Sequence, residues 1–271
     1  MSNLVMRSLT AIILGSIALW LTWVGGVPFA FFSWVIGGLV LYEWTNITSI
    51  KWKIWQKLCV LLCYIIIGIF LFFDFSAPFV FGFIILCALL LGITSVKTAG
   101  WISGGFLYAC LPAVSLAYIR GDEPFGFGAI IFLFAVVWGT DIAAYFNGRA
   151  LGGPKLAPRF SPNKTWSGAV GGALVGVAGG TLVAYLALDT SPANFFIPLL
   201  AFILSIMSQC GDIAESWVKR YFSVKDSGTF LPGHGGFMDR VDGLVFAAVI
   251  LYIIGAIVSD VNVPSNMFNM I

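Results

Sequence analysis

Apolar and polar positions alternate along this chain on a long period. Runs of roughly twenty apolar residues are separated by short stretches rich in Gly, Pro and charge. A helix needs about 20 mainly apolar residues to cross the hydrocarbon core of a bilayer. Nine such runs predict nine helices, at approximately 8–25, 28–46, 57–73, 78–96, 101–119, 125–147, 167–188, 194–217 and 241–259. Gly25, Gly26 and Pro28 punctuate the first hairpin, and Phe-Phe-Asp-Phe-Ser-Ala-Pro at 72–78 breaks the third run from the fourth. The expected fold class is all-α, a polytopic integral membrane protein of about nine transmembrane helices. The first run follows Met1 to Arg7 as a signal peptide would, but it lacks a small-residue cleavage site and many similar runs follow. It reads as a first span. Two parts are expected. Residues 1–120 hold about five spans, and 121–271 hold the rest with two long polar loops, 148–166 and 218–240.

Composition sharpens this. Of 271 residues, 60% are hydrophobic and only 10% charged, and the mean hydropathy is +1.00. A soluble domain of this size would carry far more Lys and Glu on its surface. The five cysteines (Cys59, Cys63, Cys87, Cys110 and Cys210) all fall inside apolar runs, which reads as buried packing rather than metal binding. Gly168 to Gly180 reads as a helix-packing face of small residues.

The charges alternate from loop to loop. Arg7, Lys51, Lys53, Lys57, Lys97, Arg149, Lys155, Arg159, Lys164, Lys219, Arg220, Lys225 and Arg240 fall on one side, and of the fourteen basic residues only Arg120 falls on the other. Asp74, Asp122, Glu123, Asp189 and Asp260 share that second side. The positive-inside rule makes the basic side cytoplasmic. The N-terminus is then inside, the C-terminus on the outer side, and both long loops face the cytoplasm.

Candidate chemistry sits at that face. Asp141 lies inside an apolar run, where an ionisable group defaults to a functional hypothesis; the plainer reading is an interhelical hydrogen bond. Asp212 and Glu215 stand at i, i+3 within the eighth run, Lys219 follows at i+4 from Glu215, and Asp239 and Asp242 repeat the i, i+3 spacing at the start of the ninth. Antiparallel neighbours would bring these carboxylates to one depth. Oxygen-only ligands suit Mg²⁺ or another hard cation, with Asp141, Asp212, Asp239 and Asp242 as the metal set. Lys219, Arg220, Lys225 and Arg240, with Arg149 and Lys164 from the other loop, suit phosphate oxygens. Gly228, Gly233, Gly235 and Gly236 let backbone N–H groups approach an anion, and Ser161 to Thr165 could cap the next helix. Acidic metal ligands beside basic phosphate ligands is the combination phosphoryl and nucleotidyl transfer requires. His234 reads as a general base, a phosphate donor or a loop-packing residue.

These residues carry a resemblance. Ser216-x-x-Lys219-Arg220, Lys225-Asp226, and Leu231-Pro232-x-His234-Gly235-Gly236-x-x-Asp239-Arg240-x-Asp242 resemble the signature of the phosphatidate cytidylyltransferases, or CDP-diacylglycerol synthases. Asp141-x-x-Ala144-Tyr145-Phe146-x-Gly148-Arg149 and Ser161-Pro162-x-Lys164-Thr165-Trp166 resemble a second element of that family. Many members carry Glu after that Trp, where this chain has Ser167. Upstream, only Arg7 and Glu43 are candidate matches. The resemblance implies transfer of CMP from CTP to phosphatidic acid with Mg²⁺, giving CDP-diacylglycerol and pyrophosphate. It also implies a nine-helix fold, commonly a homodimer, with a second cation as an option. Lys219, Arg220, Lys225, Asp226, His234 and Arg240 would be catalytic, and Arg149, Ser161, Lys164, Thr165, Gly235 and Gly236 would bind substrate. The expected location is the bacterial inner membrane, with the site facing the cytoplasm and no nucleic-acid partner. The alternatives are an ion-coupled transporter using Glu43, Asp141, Asp212 and Glu215, a non-enzymatic scaffold, and a CDP-alcohol phosphotransferase, whose acidic spacing is not found here.

Overall fold

The computed structural model describes residues 3–48, 52–94, 98–188, 190, 195–228, 230 and 235–270. His234, Leu231 to Gly233, Lys51, Lys97 and Asp189 lie outside the described residues, as does the side chain of Arg7. The helices α1 (Asn3–Val24), α2 (Gly26–Ile47), α3 (Ile54–Phe72), α4 (Ala77–Ile93), α5 (Ala99–Arg120) and α6 (Pro124–Leu151) come first. A two-stranded ribbon follows, β1 (Lys155–Ala157) and β2 (Ser161–Thr165), then α7 (Trp166–Ala187), α8 (Phe196–Tyr221) and α9 (Met238–Val258). A 3₁₀ turn at Pro264–Asn266 and the short α10 (Met267–Met270) close the chain. The nine predicted runs fall on α1 to α9. Among the described residues, seven helices are long and apolar enough to cross a membrane, and α1 and α4 contribute shorter apolar stretches. This is an all-α polytopic membrane protein.

Its outer faces show why. Leu58, Leu61, Leu62 and Ile65 of α3 and Ile85, Leu86, Leu89 and Leu90 of α4 are all exposed. A helix apolar on its inner and outer faces alike has hydrocarbon for a solvent, and its backbone groups are paired within the helix. The same fact corrects the reading of the cysteines. Cys87 and Cys110 are buried, but Cys59 and Cys210 are exposed. A thiol is at home on a lipid-facing surface without burial in protein.

Two apolar clusters fill the interior. One gathers Phe29, Phe132, Leu133, Ile197, Leu200 and Leu251. The other gathers Val40, Ile67, Ile84, Ile102 and Phe106 with Val218 and Met238. Both draw on helices from each end of the chain. The small-residue face of α7 lies against α6: a Cβ at Gly172 would stand 2.7 Å from the Thr140 carbonyl oxygen, and one at Gly168 2.7 Å from that of Ala144. Only glycine allows backbones this close, the packing membrane helices favour. Thr140 then shares a 2.8 Å hydrogen bond with Ser205, tying α6 to α8 one residue before Asp141.

Arg120, the basic residue on the acidic side, is buried. Its guanidinium donates to the carbonyls of Thr22 (2.5 Å), Trp23 (3.2 Å) and Gly121 (2.9 Å). It thus closes the C-terminal end of α1, where a cation is favoured by the helix dipole. Its job is a structural one, which is why it departs from the charge asymmetry.

Candidate active site

Loop 148–166, expected as a long polar loop, carries the two-stranded ribbon. Lys155 pairs with Thr165 and Ala157 with Ser161, and the turn folds back so that Lys164 reaches α8, where it forms an ion pair with Asp212. Thr165 ends the ribbon and caps α7, its hydroxyl accepting from the Gly168 amide at 3.1 Å. Capping by Thr at this position is the expected chemistry of a helix start, and it matches the sequence reading of 161–165.

Around this ribbon lies a cavity of about 660 Å³. Asp141 and Arg149 enter it from α6, Lys155 and Lys164 from the ribbon, Asp212 from α8, and Asp239 and Asp242 from α9. Tyr145, Asn163, Thr165 and Gln209 complete its polar wall. Arg149 donates to the Tyr145 hydroxyl at 2.6 Å, and Gln209 donates to the Ala169 carbonyl at 3.3 Å, joining α8 to α7 beside the cavity. The i, i+3 pair on α9 faces the cavity as expected. On α8 the pair splits: Asp212 faces the cavity while Glu215 turns inward and is only 1% exposed.

Glu215 is met by Lys219. The ammonium lies 3.1 Å from Glu215 and 2.5 Å from Asp239, so one cation serves two carboxylates. Asp239 is held from its other side as well. Its Oδ2 accepts from the Ser227 amide, the Ser227 hydroxyl and the Gly236 amide, each at 2.9 Å. A carboxylate held by this many donors is fixed in both position and charge. Gly235 adopts φ +81°, a left-handed conformation that glycine takes without strain, and this turn presents the Gly236 amide.

The structure thus brings together Asp141, Arg149, Lys164, Thr165, Asp212, Asp239 and Asp242. Lys219 is beneath them, committed to carboxylates. Ser161, Arg220, Lys225 and Asp226 are not among the residues lining the cavity. Arg220 instead joins two loops, donating to the carbonyls of Phe160 (3.4 Å) and Val224 (3.3 Å). Lys225 and Asp226 are exposed. Arg240 lines a neighbouring apolar cavity. Among the described residues, no three His, Cys, Asp or Glu side chains form a ready-made metal cage.

Sequence reading missed one residue's role. Glu43 of α2 is 1% exposed and accepts from the amides of Phe237 and Met238 at 2.8 Å each and from the Ser227 hydroxyl at 3.0 Å. It caps α9 from another helix. The available signal was that α9 starts at Phe237-Met238, with no Ser, Thr, Asp or Asn in the N-cap position, so its first N–H groups needed an acceptor from elsewhere.

The chain is similar to known proteins along nearly its whole length. The pattern that defines the cytidylyltransferase family matches residues 5–258. A phosphatidate cytidylyltransferase of Brucella suis biovar 1 (strain 1330) is 58% identical over 270 residues, covering 99% of both chains. One from Brucella melitensis biotype 1 is 57% identical over the same length and coverage. One from Bacillus subtilis (strain 168) is 31% identical over 278 residues, covering 96% of this chain and all of the relative. Matched along almost its whole length, the chain belongs to the cytidylyltransferase family.

Proposed function

We propose that the chain transfers CMP from CTP to phosphatidic acid, releasing pyrophosphate and leaving CDP-diacylglycerol in the membrane. The observation that carries this reading is the single cavity where Arg149, Lys155 and Lys164 meet Asp141, Asp212, Asp239 and Asp242 at one end of a membrane helix bundle. That the relatives are phosphatidate cytidylyltransferases supports the choice of substrates. The ion-coupled transporter reading finds no support. Its carboxylates gather beside the ribbon and the start of α9 rather than at mid-membrane, where such sites lie.

The donor set fits Mg²⁺. That ion usually binds through one or two carboxylates and completes its octahedron with water and substrate phosphates. A cavity lined by four carboxylates suits this habit. Asp141, Asp212, Asp239 and Asp242 are the residues that would hold it. Bound there, it would neutralise charge on the triphosphate and the leaving pyrophosphate.

The chain's own residues do the rest. Lys164, Lys155 and Arg149 hold the triphosphate, and Lys164 exchanges Asp212 for a phosphate oxygen as CTP arrives. Arg220, Lys225, Asp226 and Arg240 contact substrate outside the cavity proper, and Lys219 keeps Asp239 ionised and in place. A phosphate monoester is largely dianionic near neutral pH, so no side chain needs to remove a proton from the nucleophile. A lipid phosphate oxygen attacks the α-phosphorus in line, the new O–P bond forms, and the bond to the β-phosphate oxygen breaks. Catalysis then comes from positioning and preorganised charge. We place the cavity on the cytoplasmic side of a bacterial inner membrane, supported by the basic residues around it, and a homodimer belongs to the same reading.

The test is detergent-purified protein given labelled CTP with and without phosphatidic acid. Pyrophosphate release that requires the lipid is the expected result. Release without lipid, or none with it, refutes the reading.

A further inference from the structure

Two apolar hollows adjoin the polar cavity. One is a slot of about 600 Å³ between α1, α2, α5, α6 and α9. Its walls are apolar along most of their length, with Leu14, Gly15, Phe32 and Ala113 among them. Among the described residues, charge enters its lining only at Asp141 and Arg240. Asp141 also lines the polar cavity, so the two spaces meet at one carboxylate. From there the slot extends along the helices. On α2 its lining reaches from Val40, three residues from the buried Glu43, to Phe29. These twelve residues, eleven helical steps of about 1.5 Å, span about 16 Å. That is about half of a hydrocarbon core roughly 30 Å thick, the depth of one leaflet.

We propose that this slot seats the acyl chains of the lipid substrate, with the lipid phosphate at Arg240 beside the wall shared with the polar cavity. The proposal rests on the cytidylyl-transfer reading and adds where the lipid lies. Arginine suits a phosphate head because its planar fork matches phosphate oxygens. An apolar slot gains little affinity for a chain that already lies in hydrocarbon. Its contribution is direction: chains confined between helices bring the phosphate to the cavity in one orientation, which is what an in-line attack needs. The second hollow, a groove of about 760 Å³ between α7 and α8, touches the polar cavity at Leu156, Ala169 and Gln209. Its lining among the described residues contains no charged side chain, so it offers an anionic head nothing to hold.

Gly15 gives a way to test this. A Cβ there meets nothing within 4 Å, and the same is true of Gly82 on α4, which lies outside the slot. Gly15→Phe puts a ring at the slot, and Gly82→Phe puts one on an exposed surface outside it. With dioleoyl and dihexanoyl phosphatidic acid as substrates, Gly15→Phe is expected to lower the long-chain to short-chain ratio of kcat/KM by about tenfold or more, the scale of a misfit in an apolar pocket. Gly82→Phe is expected to leave the ratio unchanged. A folded Gly15→Phe protein with the wild-type ratio overturns the proposal. The wild-type protein supplies an independent readout, using phosphatidic acid with a diazirine on its acyl chain. Photolabelling should fall on peptides of α1 and α2, and excess unlabelled phosphatidic acid should suppress it while phosphatidylcholine does not. Label on α7 and α8, or equal suppression by phosphatidylcholine as bulk lipid would give, overturns it. If wild type turns over CTP with neither lipid, the cytidylyl-transfer reading fails, and the labelling pattern still judges the slot.

Discussion

Glu43 and Met238 stand 195 residues apart and are joined by a 2.8 Å hydrogen bond from the Met238 amide to the Glu43 carboxylate. The Phe237 amide and the Ser227 hydroxyl converge on the same carboxylate. Ser227 in turn holds Asp239, so the geometry of a cavity residue on α9 is transmitted from α2. Gly228 and Gly236 make room for this: a Cβ at Gly228 would lie 2.8 Å from Glu43, and one at Gly236 would collide with Glu43 and Ser227.

Glu43→Ala leaves the Phe237 and Met238 amides facing a space with no acceptor, while the Ser227 hydroxyl keeps Asp239. Each unsatisfied buried group costs about 1–3 kcal/mol. The variant is expected to unfold at lower temperature in detergent and to keep under about a tenth of wild-type turnover, a loss of more than about 1.4 kcal/mol in the barrier. Glu43→Asp keeps the charge with a shorter reach and should fall between the two. Wild-type kinetics in Glu43→Ala would show that Asp239 is positioned without it.

Lys219 is 12% exposed at its side chain and stands between Glu215, at 1%, and Asp239, at 9%. Removing one partner of a buried ion pair typically costs about 3–5 kcal/mol, because a charge is left unpaired. Lys219→Met should therefore be strongly destabilising. Lys219→Met/Glu215→Gln should recover much of the stability but little turnover, since Asp239 still lacks its cation. Thermal unfolding and turnover measured on the same preparations separate the two effects. Full activity in the double variant would place Lys219 outside the catalytic arrangement altogether.

Asp212→Asn and Asp239→Asn change charge without changing shape. Each is expected to reduce turnover below about a tenth, because a lost metal-binding oxygen removes several kcal/mol of transition-state stabilisation. Helical content and unfolding temperature report whether the fold is kept. Substantial activity in either folded variant removes that residue from the metal set.

The stereochemistry at phosphorus tests the order of bond changes. Direct attack of the lipid phosphate is a single displacement, so chiral α-thio-CTP should give product with inverted configuration. Net retention would demand a covalent intermediate and a nucleophile on the chain.

The helices were legible because their signal is physical and repeated. Among the described residues seven of these helices are apolar runs long enough to cross a bilayer, α1 and α4 carry shorter ones, and the boundaries moved by at most five residues. At the cavity, α6 extends to Leu151 and α9 begins at Met238, beyond the expected 147 and before 241. The spacing of Asp239 and Asp242 on one face was equally readable, because helical period fixes it. The ribbon was not. Its strands include Lys155, Ser161, Pro162 and Lys164, without the apolar alternation that marks a strand and with a proline that argues against one. Nor was the inward turn of Glu215 or the reach of Glu43. Both depend on which helices become neighbours, and i, i+3 spacing within one helix carries no information about that.

The clamp between α2 and α9 also sets an order of events during synthesis. Glu43 is made early, and a carboxylate placed in a span without partners is costly in hydrocarbon. Its three donors are made 184 to 195 residues later. A ribosome-bound chain that stops short of α9 already has most of its membrane helices but none of the bonds that order Asp239. Catalytic competence therefore arrives as a late step of biogenesis, when the final long helix is inserted beside the second and the early carboxylate finds its caps.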